Sequence, residues 1–248
     1  MTASITIIRY PKRFVFFAFL AMVCFRFPLW FNKRSRFWKL MGSGKNGSFD
    51  KRPDLQQWAI VSVSNLRFKQ VQIKNYKGAL LLQKLYGKFI SRWLTYFNCE
   101  TITYLLESIE GHGLWDGKQV FGELPAKSDY DGQIAILTRA TIRLSKLKQF
   151  WKYVDGTAAK MSEAEGYITS YGIGEIPWIK QATFSIWENK NAMKSFAYQT
   201  KEHQEVIQRT RAEHWYKEDM FVRFKITACI GSVKGKNPLK ESALAYIA

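Results

Sequence analysis

Two stretches of the chain open on a short apolar run that ends in a basic residue. Ile7-Ile8-Arg9 closes the first and Leu137-Thr138-Arg139 the second, and both runs have the composition of a strand. In each, a second arginine follows four positions later, Arg13 and Arg143. A helical pattern comes next. It runs from Phe14 to Phe31 in the first stretch and from Leu144 to Glu163 in the second, where Leu147, Phe150, Trp151 and Val154 share one face. A Gly-x-Gly then appears in both at the same spacing from the arginines, Gly42-Ser43-Gly44 and Gly172-Ile173-Gly174.

The parallel continues beyond that point with a small slip in register, as an insertion in a loop would cause. Gln57 leads a strand over Trp58 to Ser64, and Gln181 leads the alternating Ala182 to Trp187. Helical stretches follow at Ile73 to Trp93 and Ala192 to Arg211, and closing strands at Glu100 to Leu106 and Met220 to Ile226. The order is β-α-β-β-α-β, twice, with the middle hairpin shortened. That is the ferredoxin-like plan. One such sheet carries helices on one face and leaves the other bare, so the pattern predicts an α+β fold in which two repeats pack as a dimeric-type α+β barrel within one chain. Residues 1–110 form the first half, 111–132 a glycine-rich linker, 133–230 the second half, and 231–248 a tail with little pattern.

Composition changes this picture in two ways. The 38 Lys and Arg against 20 Asp and Glu give a net charge of +18, which favours anionic partners. The basic residues are spread among 9 Trp, 12 Tyr and 18 Phe without a block of like charge, so no nucleic acid is expected as a partner. The three cysteines, Cys24, Cys99 and Cys229, have no spacing that suggests a disulfide framework or a zinc site, and they read as small buried side chains in a reducing compartment. Arg9, Lys12 and Arg13 precede the apolar run Phe14 to Phe25 as in a signal peptide, but no small-residue cleavage site follows. The run also falls short of the roughly 20 residues that span a bilayer, so a buried helix comes first and a surface-seeking amphipathic one second.

Chemistry has few candidates. There is no HExxH, Walker loop or GxSxG, and each Gly-x-Gly reads as a tight turn needing positive φ and not as a dinucleotide fingerprint. Of the three histidines, His112 lies in the linker and His214 in a loop beside Trp215. His203 falls on a helix that starts after Thr200, sharing a face with Val206 and Ile207. An imidazole there can be an iron ligand or a core histidine bonded to a carbonyl. Arg139 and Arg143 read equally as surface arginines at a strand end and as a clamp for anionic groups such as haem propionates. Arg223, opposite Met220, Val222 and Phe224 on its strand, faces solvent or a pocket rim. Phe184, Trp187 and Gln181, with Phe150 and Trp151 nearby, are core by default and would equally line a substrate pocket for a long apolar molecule.

The run Leu137 to Arg143, Phe150-Trp151, Gly172 to Pro177, Gln181 to Trp187, Phe196-Ala197 with His203, and Trp215 to Asp219 with Arg223-Phe224 resembles the spheroidene monooxygenase family, and Phe37 to Gly44 resembles its first half. The resemblance implies an oxidoreductase that uses dioxygen to introduce a keto group near the end of an acyclic carotenoid by successive hydroxylations. It implies haem iron as cofactor with His203 as the metal ligand; Arg139 and Arg143 stay, on their own chemistry, the candidate further cofactor-binding residues. It further implies an apolar carotenoid-like substrate and an electron donor, in a cytoplasmic protein peripheral to the inner face of a membrane. No catalytic side chain is assigned. A non-enzymatic binding module on the same barrel, for haem or another apolar ligand, and a cofactor-free monooxygenase are the competing readings.

Overall fold

The computed structural model describes residues 1–45, 51–66, 68, 78–199, 208–210 and 212–239. The first repeat runs β1 (Thr2–Arg9), α1 (Val15–Cys24), α2 (Arg26–Trp30), β2 (Ser35–Gly44), β3 (Pro53–Ser64), α3 (Gly78–Tyr86), α4 (Lys88–Tyr96) and β4 (Glu100–Gly113). The second runs β5 (Ile134–Ile142), α5 (Leu147–Ser162), β6 (Tyr167–Ile176), β7 (Lys180–Trp187), α6 (Lys190–Gln199) and β8 (Tyr216–Gly231). Each repeat gives the ferredoxin-like strand order, β4-β1-β3-β2 and β8-β5-β7-β6. Joined through β2 with β6 and β8 with β4, the eight strands hydrogen-bond in a closed antiparallel order.

The compact units do not follow the sequence halves. One comprises Met1–Met41, Asp54–Glu107 and Ile226–Ala248, the other Gly42–Pro53 and Ser108–Lys225. β4 has 14 residues and β8 has 16, longer than one half requires, so each runs from one unit into the other. The expected linker is correspondingly shorter, because Gly111–Gly113 still belongs to β4.

In the first unit, alternation along β1 sends Ile8 to the helices, where it meets Ile60, Leu105, Ala18, Phe25, Leu81 and Leu94. Ile5, Ile7, Val61, Ile102 and Tyr104 point the other way and are equally buried. Polar groups on the helix side are matched: the Tyr86 hydroxyl lies 2.8 Å from Thr6 Oγ1, and Thr6 Oγ1 lies 2.9 Å from Thr103 Oγ1. The helix expected over Ile73 to Trp93 is broken at Gly87, whose φ of 92° no helix accommodates. The apolar stretch near the N-terminus is longer than its sequence suggests. Lys12–Trp30 is helical over 19 residues and contains an 18-residue window with a mean hydropathy of 1.6, enough by length and composition to cross a membrane, although part of it is built into this unit's core.

In the second unit, Trp187 stacks on Phe196 of α6 at 5.4 Å beside Met193, Met161, Ile134 and Ile136. Phe150 and Trp151 of α5 pack with Ile142 and Trp215. Both Gly-x-Gly segments are strand and not turn, since none of their glycines has positive φ. They lie side by side, Gly42 opposite Gly174 and Ser43 opposite Ile173, with the Ser43 hydroxyl donating to the Gly172 carbonyl at 3.0 Å. A Cβ at 174 would come within 2.9 Å of the Gln181 side-chain amide, which can swing aside, and 3.1 Å of the Lys180 carbonyl.

Candidate functional site

The face of the second unit's strands turned away from its helices is apolar almost throughout. Ala135 and Leu137 of β5 stand beside Ile186 and Phe184 of β7 and Phe224 and Val222 of β8. The next residue on that face is Arg139, only 1% exposed. A guanidinium that deep in a protein must be matched by carboxylates, and three converge on it. Arg139 Nη1 bonds Glu218, while Nη2 donates to Asp116 at 3.1 Å and lies 3.4 Å from Glu175. The guanidinium also sits over the Trp115 ring, 5.5 Å from its centroid. Trp115 donates its indole N–H to Glu175 at 2.9 Å, and Lys180 reaches Asp116 at 2.7 Å.

The carboxylate of Glu218 does a second task. It accepts the backbone N–H groups of Asp116 and Gly117 at 2.9 and 2.7 Å, fastening the tight turn Trp115 to Lys118 onto β8. Burial pushes the Glu218 carboxyl up, but these two backbone bonds and Arg139 outweigh it and hold it below the usual carboxylate range. The turn is reached through Gly113, whose φ is +88° and whose added Cβ would stand 2.2 Å from the Asp219 carbonyl.

A second charged cluster lies on the helix side of the same strands. Glu110, 2% exposed, accepts from Lys190 at 2.8 Å, from the Ser128 N–H at 2.7 Å and from Arg223. Burial raises its pKa, and the bonds from Lys190, Arg223 and Ser128 more than reverse that. His112, Gly113, Phe121, Met220 and Val222 help to line a recess of about 70 Å3. That is well below the roughly 300–1,000 Å3 of sites for drug-sized ligands. His112 is exposed there, stacked on Phe221 at 5.8 Å.

The structure distributes the residues singled out by sequence as follows. Arg139 meets carboxylates through both Nη atoms, while its buried Nε has no hydrogen-bond partner among the described residues; three negative charges already stand where a propionate clamp would need none. Arg143 is exposed just after β5, with its backbone N–H on the Trp215 carbonyl. His203 lies outside the described residues. Phe184, Trp187 and Gln181 do not line a common pocket, because alternation along β7 turns Phe184 to one face and the other two to the opposite one. Phe184 lies beside Tyr171 and Leu137, Trp187 is in the helix-side core, and Gln181 donates to the Ile176 carbonyl at 3.1 Å. Arg223, its side chain 17% exposed, is paired with Glu110. Sequence reasoning missed Trp115, Asp116, Glu175, Glu218 and Glu110. The one sign of them was a strand arginine in an apolar run, which demands a carboxylate without saying which.

No family model matches the chain. It is 31% identical over 224 residues to the spheroidene monooxygenase of Rhodobacter capsulatus, an alignment that takes in 90% of this chain and 88% of that protein. The chain belongs to the spheroidene monooxygenase family. The family's Cereibacter sphaeroides member is 32% identical over 217 residues, 86% of this chain but 62% of that longer protein, so the chain spans less than two thirds of it. Among solved structures, an aldoxime dehydratase superposes with a TM-score of 0.58 at 8% identity, covering 96% of this chain and 86% of that one. At that identity it shares the fold alone.

Proposed function

We propose that this member of the spheroidene monooxygenase family is an oxidoreductase that uses dioxygen to hydroxylate, and by a second hydroxylation to ketolate, a carotenoid or similar apolar substrate. The observation that carries the reading is similarity to two proteins named spheroidene monooxygenase across 86% and 90% of the chain. Placing one oxygen atom in a C–H bond while the other leaves as water takes two electrons and two protons, so a separate electron donor completes the reaction. Haem iron is the proposed cofactor, to supply activation of dioxygen. His203 is the residue proposed to hold it, and Arg143, whose side chain is exposed, is the arginine left to meet a propionate. Arg139 and its carboxylates have a different part, fastening the turn beside the recess so that its lining keeps one shape. The protein is proposed to work against the inner face of a membrane, where such a substrate is dissolved.

The test is an absorption spectrum of the purified chain after haem loading, alongside His203→Ala, followed by incubation with an acyclic carotenoid, a reductant and air. The expected result is a Soret band that moves on reduction and is lost or altered in the variant, with an oxygenated product from the wild type. Conversion without haem uptake would establish the cofactor-free reading instead. Uptake of carotenoid or haem without any product would make the chain a binding module.

A further inference from the structure

A helix that is apolar on every side needs apolar surroundings on every side. α1 and α2 have them on one side only. Ala18, Ala21, Phe25 and Leu29 are buried in the first unit's core, with Phe25 packed against Trp93 of α4 at 5.8 Å and Phe17 stacked on Phe97 at 4.5 Å. The opposite face carries Phe16, Phe19, Leu20, Val23, Phe27, Trp30 and Phe31, spaced at three and four residues as a helical stripe requires. These side chains are between 39% and 77% exposed, Phe27 and Trp30 most of all. Phe89 and Tyr96 of α4 add 48% and 78% exposed rings to the same unit. Scattered apolar side chains on a surface are ordinary, but a continuous stripe of this size marks a contact.

The charge around the stripe identifies what it meets. Lys12 and Arg13 precede it, Arg26 interrupts it, and Lys33, Arg34 and Arg36 follow it, all exposed. Lys88 and Arg92 are exposed on α4. The chain has no acidic residue before Asp50. A second copy seated on this stripe would bring cation against cation, and a neutral apolar partner would leave the cations without a role. An anionic phospholipid surface satisfies both parts, taking the aromatic rings at the level of the acyl boundary and the lysines and arginines among the headgroups.

We infer that α1 and α2 dock this protein on an anionic lipid surface, lying in its plane, with Phe16, Val23, Phe27 and Trp30 inserted and the flanking Lys and Arg on the phosphates. The helices lie on the bilayer and do not cross it, since crossing would strip Ala18, Ala21, Phe25 and Leu29 from the core they complete. The inference deepens the proposed contact with a membrane by assigning the surface and the lipid class. It does not depend on the oxygenase reading, because its assay contains neither carotenoid nor haem.

The experiment is flotation of the purified full chain with vesicles of phosphatidylcholine alone or with about a third phosphatidylglycerol, at low and high salt. Wild type is compared with Phe27→Glu/Trp30→Glu and with Lys33→Gln/Arg34→Gln/Arg36→Gln, each checked for an unchanged circular dichroism spectrum. The expected result is binding to the anionic vesicles that weakens with salt. The aromatic variant should bind at least about tenfold more weakly, because two large insertions are replaced by charges. The basic variant should lose most of its preference for anionic lipid. Absence of wild-type binding would overturn the inference, and so would equal binding by the aromatic variant. A dimer in solution that this variant abolishes, without vesicle binding, would assign the stripe to a second copy. Wild type that resists extraction from the vesicles by alkaline carbonate would mean a helix that crosses.

Discussion

The turn after β4 and the turn after β8 use one backbone device with two different charge arrangements. Gly113 and Gly231 each pass a neighbouring strand at positive φ, +88° and +99°, where a Cβ would come within 2.2 and 2.0 Å of a carbonyl oxygen. Each leads into a two-way backbone bridge, Trp115 with Lys118 and Val233 with Lys236. In each, a strand glutamate accepts the next residue's N–H: Glu218 from Asp116 at 2.9 Å, Glu100 from Lys234 at 2.5 Å. The difference lies behind the glutamate. Glu218 is backed by the buried Arg139 and, through it, by Asp116, Glu175 and Trp115. Arg9, which holds the place of Arg139 in the first repeat, is 20% exposed and bonds Asp54 at 2.8 Å and Gln56 at 3.1 Å instead. In one copy the glutamate that holds the turn is tied to a buried arginine, and in the other the corresponding arginine turns to partners on β3.

The largest effect that would sharpen this contrast is Arg139→Met. It leaves three carboxylates, partly exposed, facing one another without their buried guanidinium, and a loss of about 3 kcal/mol in urea unfolding, the lower end for breaking a buried pair, is expected. A loss below about 1 kcal/mol would show that the cluster anchors nothing. Gly113→Ala and Gly231→Ala should come next and be alike, each costing about 1–3 kcal/mol from backbone conformation and more from the carbonyl contact. Unequal costs would mean that the two turns share a shape without sharing a function.

Acid provides a third comparison. The folded-state pKa values of Glu218 and Glu110 are lowered below the ordinary 4.5, so the stability they contribute is fully present above that pH and is lost as pH falls through the lowered values. Thermal unfolding followed from pH 6 downwards should show the melting temperature falling most steeply below about 4.5, and Glu218→Gln should flatten that fall. Arg9→Met should have the smallest effect, below about 1 kcal/mol, as for partly exposed ion pairs generally.

The sequence pattern carried the element order and the doubled β-α-β-β-α-β plan, because alternation and helical spacing are local properties of the chain. It carried less of the site. Glycine is ambiguous by itself: it marks a turn at Gly117, a strand crossing at Gly113, and in Gly172-Ile173-Gly174 an ordinary extended strand. The Arg139 cluster gathers Trp115 and Asp116 from a turn, Glu175 from β6 and Glu218 from β8, and no spacing along the chain foretells that meeting. Phe184 and Trp187 looked like neighbours in a pocket because both are aromatic, although three positions apart on a strand puts them on opposite faces. The carbon-rich stripe of α1 and α2 was legible as apolar, but its division into a buried and an open side required the packing of α4.

The contact between the two Gly-x-Gly segments has a further meaning. Ser43 meets Ile173, its counterpart in the other repeat, and Gly42 meets Gly174, the counterpart of Gly44, as a local two-fold point at Ser43 and Ile173 requires. That is the isologous geometry by which two identical subunits associate. In a symmetric pair, every substitution at such a contact is made twice and must be tolerated twice. Joining the copies in one polypeptide removes that condition, which is how Ser43 can oppose Ile173, and how a buried arginine can be ringed by three carboxylates in one copy while its counterpart pairs with Asp54 and Gln56 in the other.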